Sequence, residues 1–503
     1  MIFFYYWWIL INGVPMKKTL IQSIILATGQ ILGKILSLSF LYIFLSKIYP
    51  NSYLYTFAYI PFSIFLDLSA FGIIPSVSKI IAKADEDTKI AILKKGTIFC
   101  ILIGIIFFIA ITFFNNLIFY KTLKNVNSLD YSKISYHLFL ASFTLFIYPL
   151  LSFYRGYFQG QMKMIYVSLS IILENFCRLI LTMIIINLKI DNIVKYAFII
   201  NFVSYLLSFL FLFIFIYKDY FKKNQRIHFL LIFIKSTVSI GSITLFFTFF
   251  QLIDSVTLSN LGVDSNVYTS YMFESIRLIF IPILLAQSIG SCLNPKISAS
   301  FEQNKKEEIS TIAEKTIKIS IGILVPIYVI YILFSDFIYS IFYKNIEMAY
   351  VLKHVSIYVL LIGFYKIIIG LSMGLKRISY ISFATIVGCL QKAILNFIFV
   401  PKLGYIGAIL STSTAIIICL FTALAVLKKE GISITIYSIK HLFISFVIIF
   451  IAFIINVPFI FLFSSKYSII FYIMVSILFY IVVYGLIIVS NKRRKTYFNT
   501  GDW

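Results

Sequence analysis

The groups able to do chemistry in this 503-residue chain are charges set inside long apolar stretches. Lys34 interrupts ATGQILGKILSLSF, Asp67 interrupts SIFLDLSAF, and Glu174 with Arg178 interrupt LENFCRL. Glu274 and Arg277 fall in YMFESIRLIF, while Lys235, Lys366 and Lys392 punctuate other apolar runs. Asp254 sits just past the end of one run and Asp336 in the outer part of another. Spacings of four and three place Glu174 with Arg178, and Glu274 with Arg277, on shared helical faces, so each couple is expected to pair. Each pair reads either as a structural bridge or as an ion-coupling acid beside a cation. Asp67 is open to titration or to neutralising Lys34; Asp336 is open to the same role or to contact with outer-face water.

Charge in hydrocarbon is expensive and turns toward protein or water. Lys235 and Arg155 are close enough to run ends to snorkel to the inner interface. Lys34 and Lys392 are deeper and are expected to line a cavity. Interior cations outnumber interior acids, so a shared cavity would be positive and would suit an anion. Phosphate and diphosphate match Lys and Arg donors. Catalytic chemistry has little to stand on. Cys100, Cys177, Cys292, Cys389 and Cys419 form no CxxC, the four histidines are scattered, and no zinc site or nucleophilic triad is visible. No Gly-rich loop ends in Gly-Lys-Ser/Thr, so no nucleotide cofactor is expected.

The elements that must position these charges are membrane spans. The chain is 61% apolar and 12% charged, and apolar windows long enough to cross about 30 Å of hydrocarbon recur along it. The formal charge of +24 is ordinary for a membrane protein with basic cytoplasmic loops, and nucleic acid is not an expected partner. Fourteen spans are expected, from 20–45 to 467–490. With the N-terminus inside, inner segments hold 26 Lys and Arg against 8 outside, and the tail opens with NKRRK. Both termini are therefore expected to be cytoplasmic. MIFFYYWWILING (1–13) is too short to span. Residues 1–16 read as an N-terminal extension or a mis-assigned start, with Met16 the favoured start.

Self-comparison adds a second layer. Pro75-Ser76-Val77-Ser78 and Lys95 align with Pro295-Lys296-Ile297-Ser298 and Lys315. RGYFQGQMKMIYVS (155–168) aligns with IGLSMGLKRISYIS (369–382), so Gly156 meets Gly370, Gly160 meets Gly374 and Arg178 meets Lys392. The expected architecture is all-α: two pseudo-symmetric six-helix lobes, 17–217 and 231–427, joined by a basic linker at 218–230. Two further helices (428–490) and a cytoplasmic tail (491–503) follow. The two Gly-x-x-x-Gly segments are expected to serve packing or hinging, and Arg155 gating or head-group contact. KIIAKADEDTKIAILKK (79–95) and KISASFEQNKKEEISTIAEKTIK (296–318) read as short amphipathic helices on the inner membrane surface, with solvated charged loops as the alternative.

RGYFQGQMKM followed by ENFCR resembles the polysaccharide-transport and stage V sporulation B-like branch of the multidrug/oligosaccharidyl-lipid/polysaccharide exporter superfamily. The family's RG-x-x-Q-G signature maps to Arg155, Gly156, Gln159 and Gly160, and its E-Q-x-x-R-like signature to Glu174 and Arg178, with Asn175 where Gln is common. AFGIIPSVSKIIA (70–82), SCLNPKISASF (291–301) and VPKLGYIGAILST (400–412) extend the likeness. The resemblance implies alternating access around a central cavity. It also implies a flippase for an undecaprenyl-diphosphate-linked glycan, and the missing nucleotide motifs point to membrane potential or an ion gradient as its energy source. Lys34, Arg178, Arg277 and Lys392 would contact the diphosphate of this anionic lipid-linked glycan, with membrane lipids and cell-envelope synthesis proteins as partners. Lys34 and Arg178 match basic positions of the family; Asp67 and Lys366 depart from its pattern. A cation-coupled multidrug exporter and a membrane glycosyltransferase or polymerase remain as alternatives.

Overall fold

A long apolar chain in lipid must satisfy its backbone polar groups internally, and helices do so within one segment. The computed structural model describes residues 17–48, 52–82, 84–122, 128–189, 192–221, 229–261, 263–343, 346–375, 378–430, 436–455, 469 and 472–484, and among these no strand occurs. Residues 1–16, most of the 218–230 linker and the 491–503 tail, which carry three of the expectations above, lie outside the described residues.

The helices run in order as α1 (Lys17–Ile48), α2 (Ser52–Ser69), α3 (Ile73–Ile81), α4 (Glu86–Thr122), α5 (Ser128–Gly160), α6 (Met164–Asn187) and α7 (Ile193–Ile216). Then come α8 (Phe229–Asn260), the short α9 (Ser265–Thr269), a π-helical turn at Ser270–Ser275, α10 (Ile276–Glu302), α11 (Lys306–Leu333) and α12 (Ser335–Phe342). The remainder comprises α13 (Ala349–Val355), α14 (Ile357–Gly374), α15 (Ile378–Leu403), α16 (Tyr405–Lys429), α17 (Ile436–Ile455) and α18 (Tyr472–Tyr484). Against the fourteen expected spans, ten helices among the described residues are long and apolar enough to cross a membrane. An eleventh forms if the pair Ile346–Val355 and Ile357–Met373, bent by 41°, is one span; two shorter apolar helices lie at 441–455 and 472–484.

Contacts divide the chain into two units, Met1–Met272 and Phe273–Trp503. In the first, α5 packs on α2, α3, α4 and α7, α1 lies along α6, and α8 rests on α2, α3 and α4. In the second, α10 packs on α14, α15 on α16, and α11 on α10, α14 and α17. The repeat reappears in the helix boundaries. α4 and α11 open at 86 and 306, and α6 and α15 open at 164 and 378, the two offsets read from the sequence.

The two amphipathic stretches are not separate surface helices. α3 runs to Ile81, a turn follows, and α4 opens at Glu86; α10 runs through Pro295 to Glu302, a turn follows, and α11 opens at Lys306. The acids expected on a surface face instead lie in first helical turns, Glu86 and Asp87 of α4 and Glu307 and Glu308 of α11. There they favour the positive end of the helix dipole. Asn304 in the left-handed region (φ 55) and the Lys305 N–H donating to the Ser300 carbonyl at 2.9 Å close α10.

The basic turn between α5 and α6 closes in the same way. Met162 has φ 58, and the Lys163 N–H donates to the Phe158 carbonyl at 3.0 Å. The halves differ in where their helices break. Gly72 (φ 62) divides α2 from α3, whereas α10 is continuous through the corresponding position, Cys292. Gly72 also meets Gly241 of α8, since a Cβ on Gly72 would lie 2.6 Å from the Gly241 Cα.

Gly156 and Gly160 allow α5 to approach α3. A Cβ on Gly156 would lie 2.8 Å from the Ile74 carbonyl oxygen, and one on Gly160 would lie 2.6 Å from the Ile81 Cβ. The first obstacle is backbone and cannot rotate away. Gly156→Ala is therefore expected to destabilise the detergent-solubilised protein by about 2 kcal/mol, the usual scale of overpacking. A thermal unfolding midpoint equal to that of the unsubstituted protein would show that α3 yields freely.

Candidate functional site

The first unit gathers its charges on α5, α6 and α7. Arg155, five residues from the end of α5, points into the packed interior and is 7% exposed, so it does not snorkel. Its Nη2 donates to Glu174 Oε2 at 2.8 Å and to Ser208 Oγ at 3.2 Å, and its Nε donates to Ser170 Oγ at 3.0 Å. Arg178, one turn after Glu174 on α6, donates from Nη2 to Glu174 Oε1 at 3.0 Å and from Nη1 to Asn175 Oδ1 at 3.3 Å. One carboxylate thus serves two guanidiniums. Ser208 on α7 donates in turn to the Ser170 carbonyl at 2.9 Å.

Aromatic rings close the remaining sides. The Arg178 guanidinium carbon lies 5.2 Å from the Tyr205 ring centre and 5.9 Å from that of Phe40, within the range of cation–π attraction. Arg178 Nε is buried without a hydrogen-bond partner. The expected Glu174–Arg178 pair is therefore present, enlarged by an arginine from the preceding helix.

α1 is pressed against this cluster by small residues. A Cβ on Gly29 would lie 2.4 Å from the Ser168 Cβ, and one on Gly33 would lie 2.7 Å from the Ile171 Cγ2 and 3.3 Å from Asn175 Nδ2. Ser168 Oγ donates to the Ile25 carbonyl at 2.7 Å. Lys34 follows Gly33 and is half-buried, while Asp67 is exposed on α2. Asp254, expected beyond the end of its span, lies buried inside α8 and accepts the Tyr271 hydroxyl at 2.9 Å. The helix continues past it to Asn260, and Thr257 and Ser259 satisfy their hydroxyls on carbonyls one turn back.

The second unit answers differently. Lys392 on α15 is fully buried and donates to the Thr412 hydroxyl of α16; beside it Ser411 donates to Asn396. Where the first unit has Glu174, the repeat register places Gly388, and a Cβ there would lie 2.7 Å from the Cys419 Sγ. Close helix contact replaces the carboxylate.

Glu274 does not pair with Arg277. Its carboxylate accepts the Tyr339 hydroxyl and its backbone carbonyl accepts the Tyr343 hydroxyl at 3.1 Å, while the Arg277 guanidinium lies 4.0 Å from the Phe273 ring centre. The cause is the π-helical turn at 270–275, which carries more residues per turn and carries position 277 off the face expected from α-helical spacing. Asp336, expected in the outer part of an apolar run, is exposed in the first turn of α12, because the helix breaks at Phe334. Gly370 is buried on α14 and Gly374 ends that helix, the place that Gly160 holds on α5.

Ser170, Ser208, Tyr205, Tyr339 and Tyr343 were missed by sequence reasoning. Polar hydroxyls inside apolar helices were the available signal, and nothing in their spacing distinguished them from the many other serines and tyrosines of this chain. The Gly29-x-x-x-Gly33 pair was a legible motif.

A family model described as polysaccharide biosynthesis protein matches residues 20–301, more than half of the chain. The chain belongs to that family. A second model, MatE, matches residues 239–401. Among curated proteins, the lipid II flippase MurJ of Bacillus subtilis strain 168 is 23% identical over 82% of this chain and 83% of its own length. Stage V sporulation protein B of the same organism is 26% identical over 79% and 80%. A solved structure of the lipid II flippase MurJ in an inward closed conformation superposes with a TM-score of 0.70 at 17% identity, covering 93% of this chain and 99% of that one. An outward-facing MATE family transporter of the MOP superfamily follows at 0.63 and 16%, covering 83% and 96%. The all-helical fold is that of this superfamily, and the family member is a multi-pass membrane protein.

Glu174→Gln removes the one negative charge between two guanidiniums at nearly constant volume. Stability is expected to fall by about 3 kcal/mol, as when a buried ion pair loses one member. Denaturant unfolding of the purified protein measures it, and a loss under about 0.5 kcal/mol would mean the bridge contributes little.

Proposed function

We propose that this protein is a flippase that moves an undecaprenyl-diphosphate-linked glycan, a peptidoglycan precursor or polysaccharide unit, across the cytoplasmic membrane by alternating access. The observation that carries the reading is the likeness to the lipid II flippase MurJ over 82% of this chain and 83% of that protein. The residues fit an anionic cargo. Lys34 in the first half is half-buried, next to the helix contact that fixes its height, and Arg277 in the second lies over the Phe273 ring. Both are assigned to the diphosphate. Arg155 and Arg178 share Glu174, and Lys392 is held by Thr412, so these three are assigned to positioning. The termini face the cytoplasm in this reading, and the lobes of 17–217 and 231–427 are the moving bodies.

The MatE match at 239–401 favours a second reading, a cation-coupled multidrug exporter. The test is outer-leaflet accessibility of peptidoglycan lipid precursor in bacteria depleted of their own flippase and expressing this chain. Restoration is expected. Lys34→Ala or Arg277→Ala should reduce it roughly tenfold or more at unchanged membrane levels, the scale of one hydrogen bond to a charged group. No restoration by an inserted protein would remove this precursor as cargo, and raised resistance to cationic dyes in the same cells would favour the exporter.

A further inference from the structure

Five acids lie in or near the apolar helices, and their surroundings separate them. Glu174 is held by two guanidiniums, Arg155 and Arg178. Asp67 and Asp336 are exposed. Asp254 is buried, but it has interactions beyond the Tyr271 hydroxyl. Glu274 is the exception. It is 7% exposed, its carboxylate is met by the neutral Tyr339 hydroxyl, and no ion pair closes on it among the described residues.

We propose that Glu274 is a proton-binding site of this transporter, taking a proton from water when its turn opens and returning it when the turn closes elsewhere in the cycle. The proposal rests on the reading of the chain as a transporter, and it concerns the ion rather than the cargo. A carboxylate out of water, balanced by one neutral donor, exchanges a proton readily when its surroundings change. The exchange needs no other reactant: the carboxylate oxygen gains or loses the proton, and water supplies or accepts it.

The geometry gives that exchange a mechanical outlet. Glu274 lies in the π-helical turn at 270–275, and such turns are frequent at functional sites. Two tyrosines hold the same residue from the far side, Tyr339 of α12 on the side chain and Tyr343, just past α12, on the backbone carbonyl. A change of charge on the carboxylate alters the first bond and leaves the second, so protonation bears on how α12 sits against the turn.

The other titratable groups on the surrounding elements are known. Tyr331 of α11 donates to the Leu278 carbonyl at 2.8 Å, and Arg277 lies over Phe273. Lys366 is half-buried on α14, and Asp336, Lys353 and His354 are exposed. Among the described residues, none of these cations forms an ion pair with Glu274.

Infrared difference spectra of the purified full chain in lipid nanodiscs, recorded on stepping the pH, read the carboxyl directly. The carbonyl band of a protonated carboxylic acid in apolar surroundings, higher in frequency than that of water-exposed carboxyls, should appear and titrate. It should be lost in Glu274→Gln, displaced in midpoint in Tyr339→Phe, and retained in Asp336→Asn. A titrating band that survives Glu274→Gln in a monodisperse protein would overturn the proposal. If that variant fails to insert, an unchanged midpoint in Tyr339→Phe would overturn it instead. The readout involves no cargo, so a retained, Glu274-dependent band alongside failed precursor restoration would support the proton site while removing the proposed substrate.

Discussion

The Glu174 carboxylate, shared between Arg155 and Arg178, is the constraint from which the first half of the molecule is arranged. Two guanidiniums cannot be brought to nearly complete burial on adjacent helices unless a negative charge lies between them. That requirement fixes the rotation of α5 and α6 about their axes, and Ser208 extends it to α7. Once α6 is set, Gly29 and Gly33 fix the approach of α1, which determines the height at which Lys34 stands. Once α5 is set, Gly156 and Gly160 bring α3 against it.

The second half preserves the helix starts at 306 and 378 and discards this chemistry. Its buried cation, Lys392, occupies the register of Arg178, yet the position of the carboxylate is Gly388 packed against Cys419. A lysine ammonium is compact and can be held by a hydroxyl, whereas a guanidinium presents a wide fork that calls for several acceptors. The fold repeats because apolar helices can be packed the same way twice. The polar interior is free to diverge because each half must satisfy only its own buried groups.

Much of this was legible in the sequence and some was not, for identifiable reasons. The membrane spans followed from composition, and the repeat offsets followed from Gly156 with Gly370 and Pro75 with Pro295, because hydropathy and small-residue spacing are local signals. The Glu174–Arg178 pair followed from helical spacing. Arg155 joining it did not, because its partner lies on the next helix. The Glu274–Arg277 pair failed because a π-helical turn is a departure from the very periodicity used to expect it. The two charged stretches read as surface helices from sequence because amphipathic spacing is the same whether a helix lies flat or begins a span. Only their first-turn acids separate the cases.

The turn at residues 161–163 that joins α5 to α6 bears on how the chain enters the bilayer in the first place. An arginine at the centre of an apolar helix adds about 3 kcal/mol to its insertion, and Arg178, well inside α6, would carry that cost alone. With so short a connection, Arg155 meets Glu174 as soon as the second helix has emerged. The two segments are then favoured to leave the translocation channel together, as a hairpin already neutralised on its inner face. The bridge that orders the finished protein would thus also ease its biogenesis.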